Sequence, residues 1–267
     1  MTKLTARLRT WLDANPRAAV IRVTSAKGST PREEGAWMLV SPAAIFNTIG
    51  GGQLEFLAIA KARELIEQNL ANGTMDVPLG PEIGQCCGGR VGLEIKLAAP
   101  SIRNQLLEDA AIRDRARPHV YLFGGGHVGQ ALSEALSLLP LHTVLVETRP
   151  EALEEITADV EKRLTPVPED AVRSAPEGSA FVILTHDHAL DFLIASEALA
   201  RKDALYVGMI GSKTKRATFK SWYGKNDGKE SDLARLTCPI GGTTSDKRPA
   251  VIAALAAAEV MRALMST

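Results

Sequence analysis

Cys86 and Cys87 are adjacent thiols set between glycines, in the run Gly84-Gln85-Cys86-Cys87-Gly88-Gly89-Arg90. Neighbouring Cα atoms lie about 3.8 Å apart across a trans peptide, too close for a relaxed disulfide, so a bridge between them would be strained and easily reduced. A structural zinc site needs a second pair of ligands at suitable spacing, and the sequence offers none. In an extended segment successive side chains point to opposite sides, so one sulfur faces a given ligand. The flanking glycines let a bulky group approach the backbone, and Arg90 can favour a thiolate. A soft metal or a transferable sulfur is the economical partner; the alternative is a pair of buried core cysteines, which glycine flanks disfavour.

A second group of residues surrounds Gly124, Gly126 and Gly129, which form G-x-G-x-x-G, with Glu147 23 positions after Gly124. Glycines between a strand and a helix allow a tight turn and close approach, and the helix entrance offers its N–H groups to phosphate. His127 lies inside this loop. The arrangement suits NAD or NADP, with Glu147 as the ribose partner, or glycines that serve packing alone. Two further runs follow apolar segments. Thr185-His186-Asp187-His188, with Asp191, can bind metal or move protons, or can simply cap a helix. Gly211-Ser212-Lys213-Thr214-Lys215-Arg216 is a glycine turn into a basic helix entrance, suited to a phosphate or to a solvated face. Cys238 stands alone and reads as a small buried hydrophobe.

These residues need elements to hold them. AAVIRVTS and AWMLVS read as short strands joined by KGSTPREEG. Gly50, Gly51 and Gly52 precede a helix whose stripe runs through Leu54, Ala58, Ala62, Leu65, Ile66 and Asn69 and ends near Asn72-Gly73. VGLEIKLA alternates apolar and polar residues as a half-buried strand. Beyond a charged helical stretch from about Pro100 to Arg117, HVYLF, HTVLVE, AFVILT and ALYVGMI alternate with helical segments, the grammar of a parallel sheet covered on both faces. A final helix starts at Pro249, with Ala253, Ala254, Ala256, Ala257 and Ala258 expected in the core. The expected fold is α/β, with a smaller N-terminal α/β domain over 1–110 carrying GQCCGG and a Rossmann-like C-terminal domain over 111–267.

The 267 residues carry 31 basic and 31 acidic side chains, which gives no footprint for nucleic acid or for an anionic membrane. Leu4, Leu8, Trp11 and Leu12 recur at helical spacing where a signal peptide would be continuously apolar, no run is long enough to span a bilayer, and three cysteines form no disulfide framework. The expected compartment is the cytoplasm.

GSTPREEGAWMLV, IGGGQLE, GQCCGGRV, FGGGHVGQAL, THDHALD, YVGMIGSKTKR and CPIGG follow one another in the order shown by the XdhC/CoxI family, which the chain closely resembles over nearly its whole length. The resemblance implies a non-catalytic maturation factor that binds the molybdenum cofactor, a pterin dithiolene phosphate (molybdopterin) carrying Mo. It would protect the cofactor while a cysteine desulfurase replaces an oxo ligand with sulfido, then deliver it to apo xanthine dehydrogenase. It also implies a homodimer, with Cys86 or Cys87 near molybdenum, the glycine loops around the pterin, and Lys213 and Arg216 near its phosphate. The sequence departs from the family pattern at GGGHVG for GAGHVG, at Glu147 for Asp, and at PAVIA for P-x-E-I-A.

Overall fold

The computed structural model describes residues 4–80, 88–242 and 246–265, and divides into two compact units, one over 2–115 and the other from residue 116 onward. Gln85, Cys86 and Cys87 lie outside the described residues.

In the first unit, β1 (Ala19–Lys27), β2 (Trp37–Val40), β3 (Ile45–Asn47), β4 (Asn72–Pro78) and β5 (Arg90–Leu97) form an antiparallel sheet in the order β3-β2-β1-β5-β4. Alternation divides its side chains between two cores. Ile21, Val23, Met38, Leu93 and Ile95 pack against Leu54, Ala58, Ala62 and Leu65 of α2 (Gly52–Glu67). Val20, Trp37 and Leu39 pack against Leu8 and Leu12 of α1 (Leu4–Ala14) and Leu106 and Ala110 of α3 (Pro100–Arg115). The α2 stripe is as expected except at its end. Asn69 adopts φ 53 and stops the helix, so Asn72 begins strand β4 instead of closing a longer helix.

The second unit is a six-stranded parallel sheet in the order β11-β10-β9-β6-β7-β8. Its strands are β6 (His119–Phe123), β7 (His142–Glu147), β8 (Glu161–Leu164), β9 (Ala180–Ile183), β10 (Tyr206–Met209) and β11 (Leu236–Thr237). Numbered within the unit this is the 3-2-1-4-5-6 order of the Rossmann fold. One face carries α4 (His127–Ser137) and α9 (Pro249–Met265), which bury Leu132, Leu136, Ala253, Ala256 and Val260 against Val120, Leu122 and Val182. The other face carries α7 (His188–Ala200) and α8 (Lys213–Lys225), whose Ile194, Ala195, Phe219 and Tyr223 meet Phe123, Val146, Phe181 and Val207. Two short helices, α5 (Pro150–Glu154) and α6 (Glu169–Arg173), complete the connections. Ala254 and Ala258, expected in the core, are exposed on the outer side of α9. Strand β8 escapes a hydrophobicity reading because it is a polar edge strand, Glu161-Lys162-Arg163-Leu164.

Four carbonyls where the chain leaves α1 and enters α3 are gathered by one arginine. Arg103 donates from Nε to Ala98 O at 2.7 Å, from Nη1 to Leu12 O at 3.0 Å, and from Nη2 to Asn15 O at 3.0 Å and Pro16 O at 2.7 Å. Arg103→Ala strands these acceptors, so the urea midpoint is expected to fall by an equivalent of about 2 kcal/mol with an unchanged m-value.

Candidate functional site

Open α/β sheets bind ligands at the carboxyl ends of their strands, where the strand order reverses. Here that switch point lies between β6 and β9. From β6 the chain enters Gly124–Gly126 and then α4; from β9 it enters Leu184–Asp187 and then α7. The crevice is lined by Gly124, Glu147, Thr148, Pro168, Thr185, His186 and Leu190 and is narrow, with no room for a small molecule between these side chains as they stand.

Three of the loop glycines have reasons internal to the fold. Gly124 has φ 116, and a Cβ there would sit 2.6 Å from Leu184 O. At Gly125 a Cβ would come within 3.0 Å of Ala152 O, and at Gly129 within 2.0 Å of Gly124 O. Gly126 differs: its φ of −70 suits any residue, it is exposed, and nothing stands within 4 Å of an added Cβ. As the N-cap residue of α4 it makes no side-chain cap, so the first-turn N–H groups have no cap from it, and His127 beside it is exposed. Gly126 is therefore the loop glycine that the fold itself does not require.

Glu147, expected to read a ribose, is turned inward and is 4% exposed. Its Oε2 accepts from Gly125 N at 2.8 Å and Arg149 Nη2 at 3.1 Å. Its Oε1 accepts from Thr148 N at 2.8 Å, Arg149 N at 3.1 Å and Arg149 Nε at 3.3 Å. Burial pushes the carboxyl pKa up, but the Arg149 guanidinium and the three backbone N–H groups outweigh it and hold it at about 2. This carboxylate ties the glycine loop to the end of β7, and it does so with both oxygens.

The other expected residues are divided by their partners. Asp187 caps α7, accepting from Ala189 N at 2.8 Å, while His186 and His188 are exposed. Asp191 is fully buried, accepts from Thr185 N at 3.0 Å and Thr185 Oγ1 at 2.7 Å, and forms an ion pair with Lys215. Lys215, grouped by its neighbours with the phosphate-binding candidates, is thus spent on bracing the β9–α7 and β10–α8 turns. Its stem also lies over Gly211, where a Cβ would come within 2.7 Å of it. Ser212 caps α8 by accepting from Lys215 N at 3.2 Å. Arg216 donates from Nη1 to Leu236 O at 3.0 Å and Cys238 O at 3.2 Å, fastening β11. Lys213 and Arg216 are both exposed at this entrance, and Lys215 is half-buried. Cys238 is 5% exposed, and burial pushes its thiol pKa up, as suits a core residue. Among the described residues no group of three His, Cys, Asp or Glu side chains could hold a metal ion, and no helix is long and apolar enough to cross a membrane.

In the first unit the loops around the cysteine motif meet at one end of the sheet. Gly88 N donates to Leu79 O and Leu79 N to Gly89 O, each at 2.7 Å, extending the β4–β5 pairing to these residues. A Cβ on Gly89 would lie 2.3 Å from Ser29 O, and one on Gly50 would lie 2.5 Å from Pro31 Cβ. Glu55 holds the triple glycine turn through Oε2, which accepts from Thr48 Oγ1 at 2.5 Å, Ile49 N at 3.0 Å and Gly51 N at 3.1 Å. Sequence reasoning passed over Glu55, although an acid one turn after a glycine-rich helix entrance is a capping signal. Arg90, read as a thiolate partner, makes a two-pronged bond to Asp76 at 2.8 and 2.7 Å. Glu259 was likewise missed; it accepts from Tyr206 Oη at 2.8 Å and Gly241 N at 3.0 Å.

Strand order, glycine loop and switch-point crevice define a Rossmann-type unit, accompanied by an antiparallel α/β unit that carries the thiol motif. The chain belongs to the XdhC and CoxI family: residues 120–260 match the XdhC Rossmann domain, and residues 11–76 match the XdhC and CoxI family. The uncharacterized protein YqeB of Escherichia coli (strain K12) is 22% identical over 254 residues, which are 91% of this chain and 43% of YqeB. This chain thus spans about two fifths of that relative's length. A Bacillus halodurans protein, whose crystal structure is described as that of a xanthine dehydrogenase, shares the fold with a TM-score of 0.82 at 18% identity, over 98% of this chain and 96% of that one.

Two outcomes are expected. Gly129→Ala lowers the melting temperature steeply or prevents folding, whereas Gly126→Ala leaves it unchanged or slightly raised. Glu147 has its pKa depressed from 4.5 to about 2, so its stabilisation is fully present above pH 4.5 and is lost as pH falls toward 2. That difference corresponds to about 3 kcal/mol, and Glu147→Gln should flatten this part of a stability-against-pH curve measured by chemical denaturation.

Proposed function

We propose that this protein is an accessory factor of xanthine dehydrogenase that holds the molybdenum cofactor, shields it while a cysteine desulfurase sulfurates it, and hands it to the apoenzyme. The observation that carries this reading is the match of both units to the XdhC and CoxI family, in a chain that has adjacent thiols between glycines and whose Rossmann carboxylate is already consumed by its own backbone. Thiolates are soft donors suited to molybdenum, so Cys86 or Cys87 would hold or shield the metal. On the second unit taken by itself, the uncapped entrance of α4 at Gly126 and His127 would favour an anionic group such as a phosphate, through the helix dipole and the N–H groups of its first turn. When bound, the cofactor supplies the redox-active molybdenum; the chain's residues bind it, orient it and exclude water. Asp191 and Lys215 act as a brace that fixes the two turns beside the crevice.

The strand order and the G-x-G-x-x-G loop favour one other ligand, a nicotinamide dinucleotide, with His186 or His188 as acid/base. The inward Glu147 weighs against it, because no free carboxylate oxygen is presented to a ribose diol.

Purified from cells that make molybdenum cofactor, the protein is expected to carry molybdenum and pterin. The Cys86→Ala/Cys87→Ala variant should lose most of the metal, and Gly126→Ala should lose pterin while keeping its melting temperature. Equal molybdenum and pterin in all three would remove both motifs from the proposal. Calorimetric titration with NAD and NADP is expected to show no binding; binding of either at micromolar affinity would favour the dinucleotide reading.

A further inference from the structure

Helix α8 holds Lys213, Lys215, Arg216, Lys220 and Lys225 and no acidic residue, in a chain of zero net charge. Its apolar face, Phe219 and Tyr223, is buried in the core of the second unit. A different stripe, Lys213, Arg216, Ala217 and Lys220, recurs at i, i+3, i+4 and i+7 and lies on one side of the helix. It lines an open groove, whose other wall is Glu230, Leu233 and Ala234 of the 3-10 helix Glu230–Arg235. Lys213 makes no hydrogen bond or ion pair among the described residues. Lys220 pairs with Glu230, but both side chains are largely exposed, and such a pair exchanges readily for another carboxylate.

We propose that this groove docks an acidic segment of a partner protein. Its floor of Ala217, Leu233 and Ala234 is apolar, and cations stand at both ends. At 1.5 Å of rise per residue, Lys213 and Lys220 are about 10 Å apart along the helix. A single phosphate would engage one end and leave the apolar floor uncovered. In an extended polyproline-type segment, residues i and i+3 lie on one face about 9 Å apart. A Glu-x-x-Glu segment with an apolar residue between its acids would therefore reach both lysines while covering the floor. Arg216 contributes charge from the middle of the groove without moving, since its Nη1 is fixed on Leu236 O and Cys238 O. This inference goes beyond the cofactor-holding role and does not need it: an accessory factor of any cargo must be recognised by the protein it serves.

The test is fluorescence anisotropy of the full chain with a fluorescein-labelled peptide of Glu-Pro-Leu-Glu repeats, beside its Gln-Pro-Leu-Gln counterpart. The acidic peptide is expected to bind, the neutral one not to, and added salt to weaken the complex. Lys213→Glu/Lys220→Glu should weaken binding roughly tenfold, whereas Lys225→Glu/Lys229→Glu, with the same change in net charge outside the groove, should stay within about twofold. Lys213 and Lys220 are both exposed, and an acid in the first turn of a helix is favourable, so melting curves should confirm that the first variant folds. Equal weakening by the two double variants, equal binding of the two peptides or no binding by the unmodified chain would overturn the proposal. So would displacement by inorganic phosphate at matched ionic strength, which would make the groove a small-anion site. A concentration-dependent dimer that the Lys213→Glu/Lys220→Glu variant abolishes in light scattering would assign the groove to a second copy, and would overturn it too. None of these outcomes bears on cofactor retention, so failure here leaves that reading standing.

Discussion

The approach of α4 to its own glycine loop governs the second unit. Gly129 sits so close to Gly124 O that no side-chain carbon fits between them, and Gly124 in turn lies against Leu184 O at the end of β9. This close stacking of loop, helix and neighbouring strand fixes where the N–H groups of α4 point. Glu147 then locks the outer side of the loop to β7, and its low pKa reflects how many donors converge on it. A ligand at this edge meets a surface whose strain and polarity are already settled, with Gly126 as the open place.

The first unit uses the same device with different parts. Gly89 runs against the backbone of Ser29, Gly50 against Pro31, and a single carboxylate, Glu55, collects the donors of the glycine turn. In both units a buried or half-buried glutamate gathers N–H groups that would otherwise be stranded at a tight turn, which is what the cost of an unsatisfied donor demands. Glycines flanking a reactive motif thus need not all touch a ligand. Gly89 answers to its neighbour's carbonyl, whereas Gly88, with φ 64 and open space around it, does not.

Much of this was legible in the amino-acid order. The apolar runs at Val120–Phe123, Val144–Val146, Phe181–Ile183 and Val207–Met209 announced a parallel sheet, and strict alternation at Val91–Leu97 announced a half-buried strand. Strand β4 was hidden because Asn72-Gly73 resembles a helix stop, and β8 because its side chains are polar at a sheet edge. The roles of charged residues were the least legible. Asp191 with Lys215, Arg90 with Asp76, and Arg216 with two carbonyls each join residues at least 14 positions apart in the chain, and only the fold brings them together. A local motif shows none of these tertiary partners, because each is supplied by a distant part of the chain.

The pair of backbone bonds between Leu79 and the Gly88-Gly89 step has a consequence of its own. They close the β4–β5 ladder with residues on either side of the connection. Lengthening such a connection costs little, about 0.6 kcal/mol per doubling. Insertions or replacements between Leu79 and Gly88 are therefore cheap for the ladder itself, which keeps its last rungs as they are.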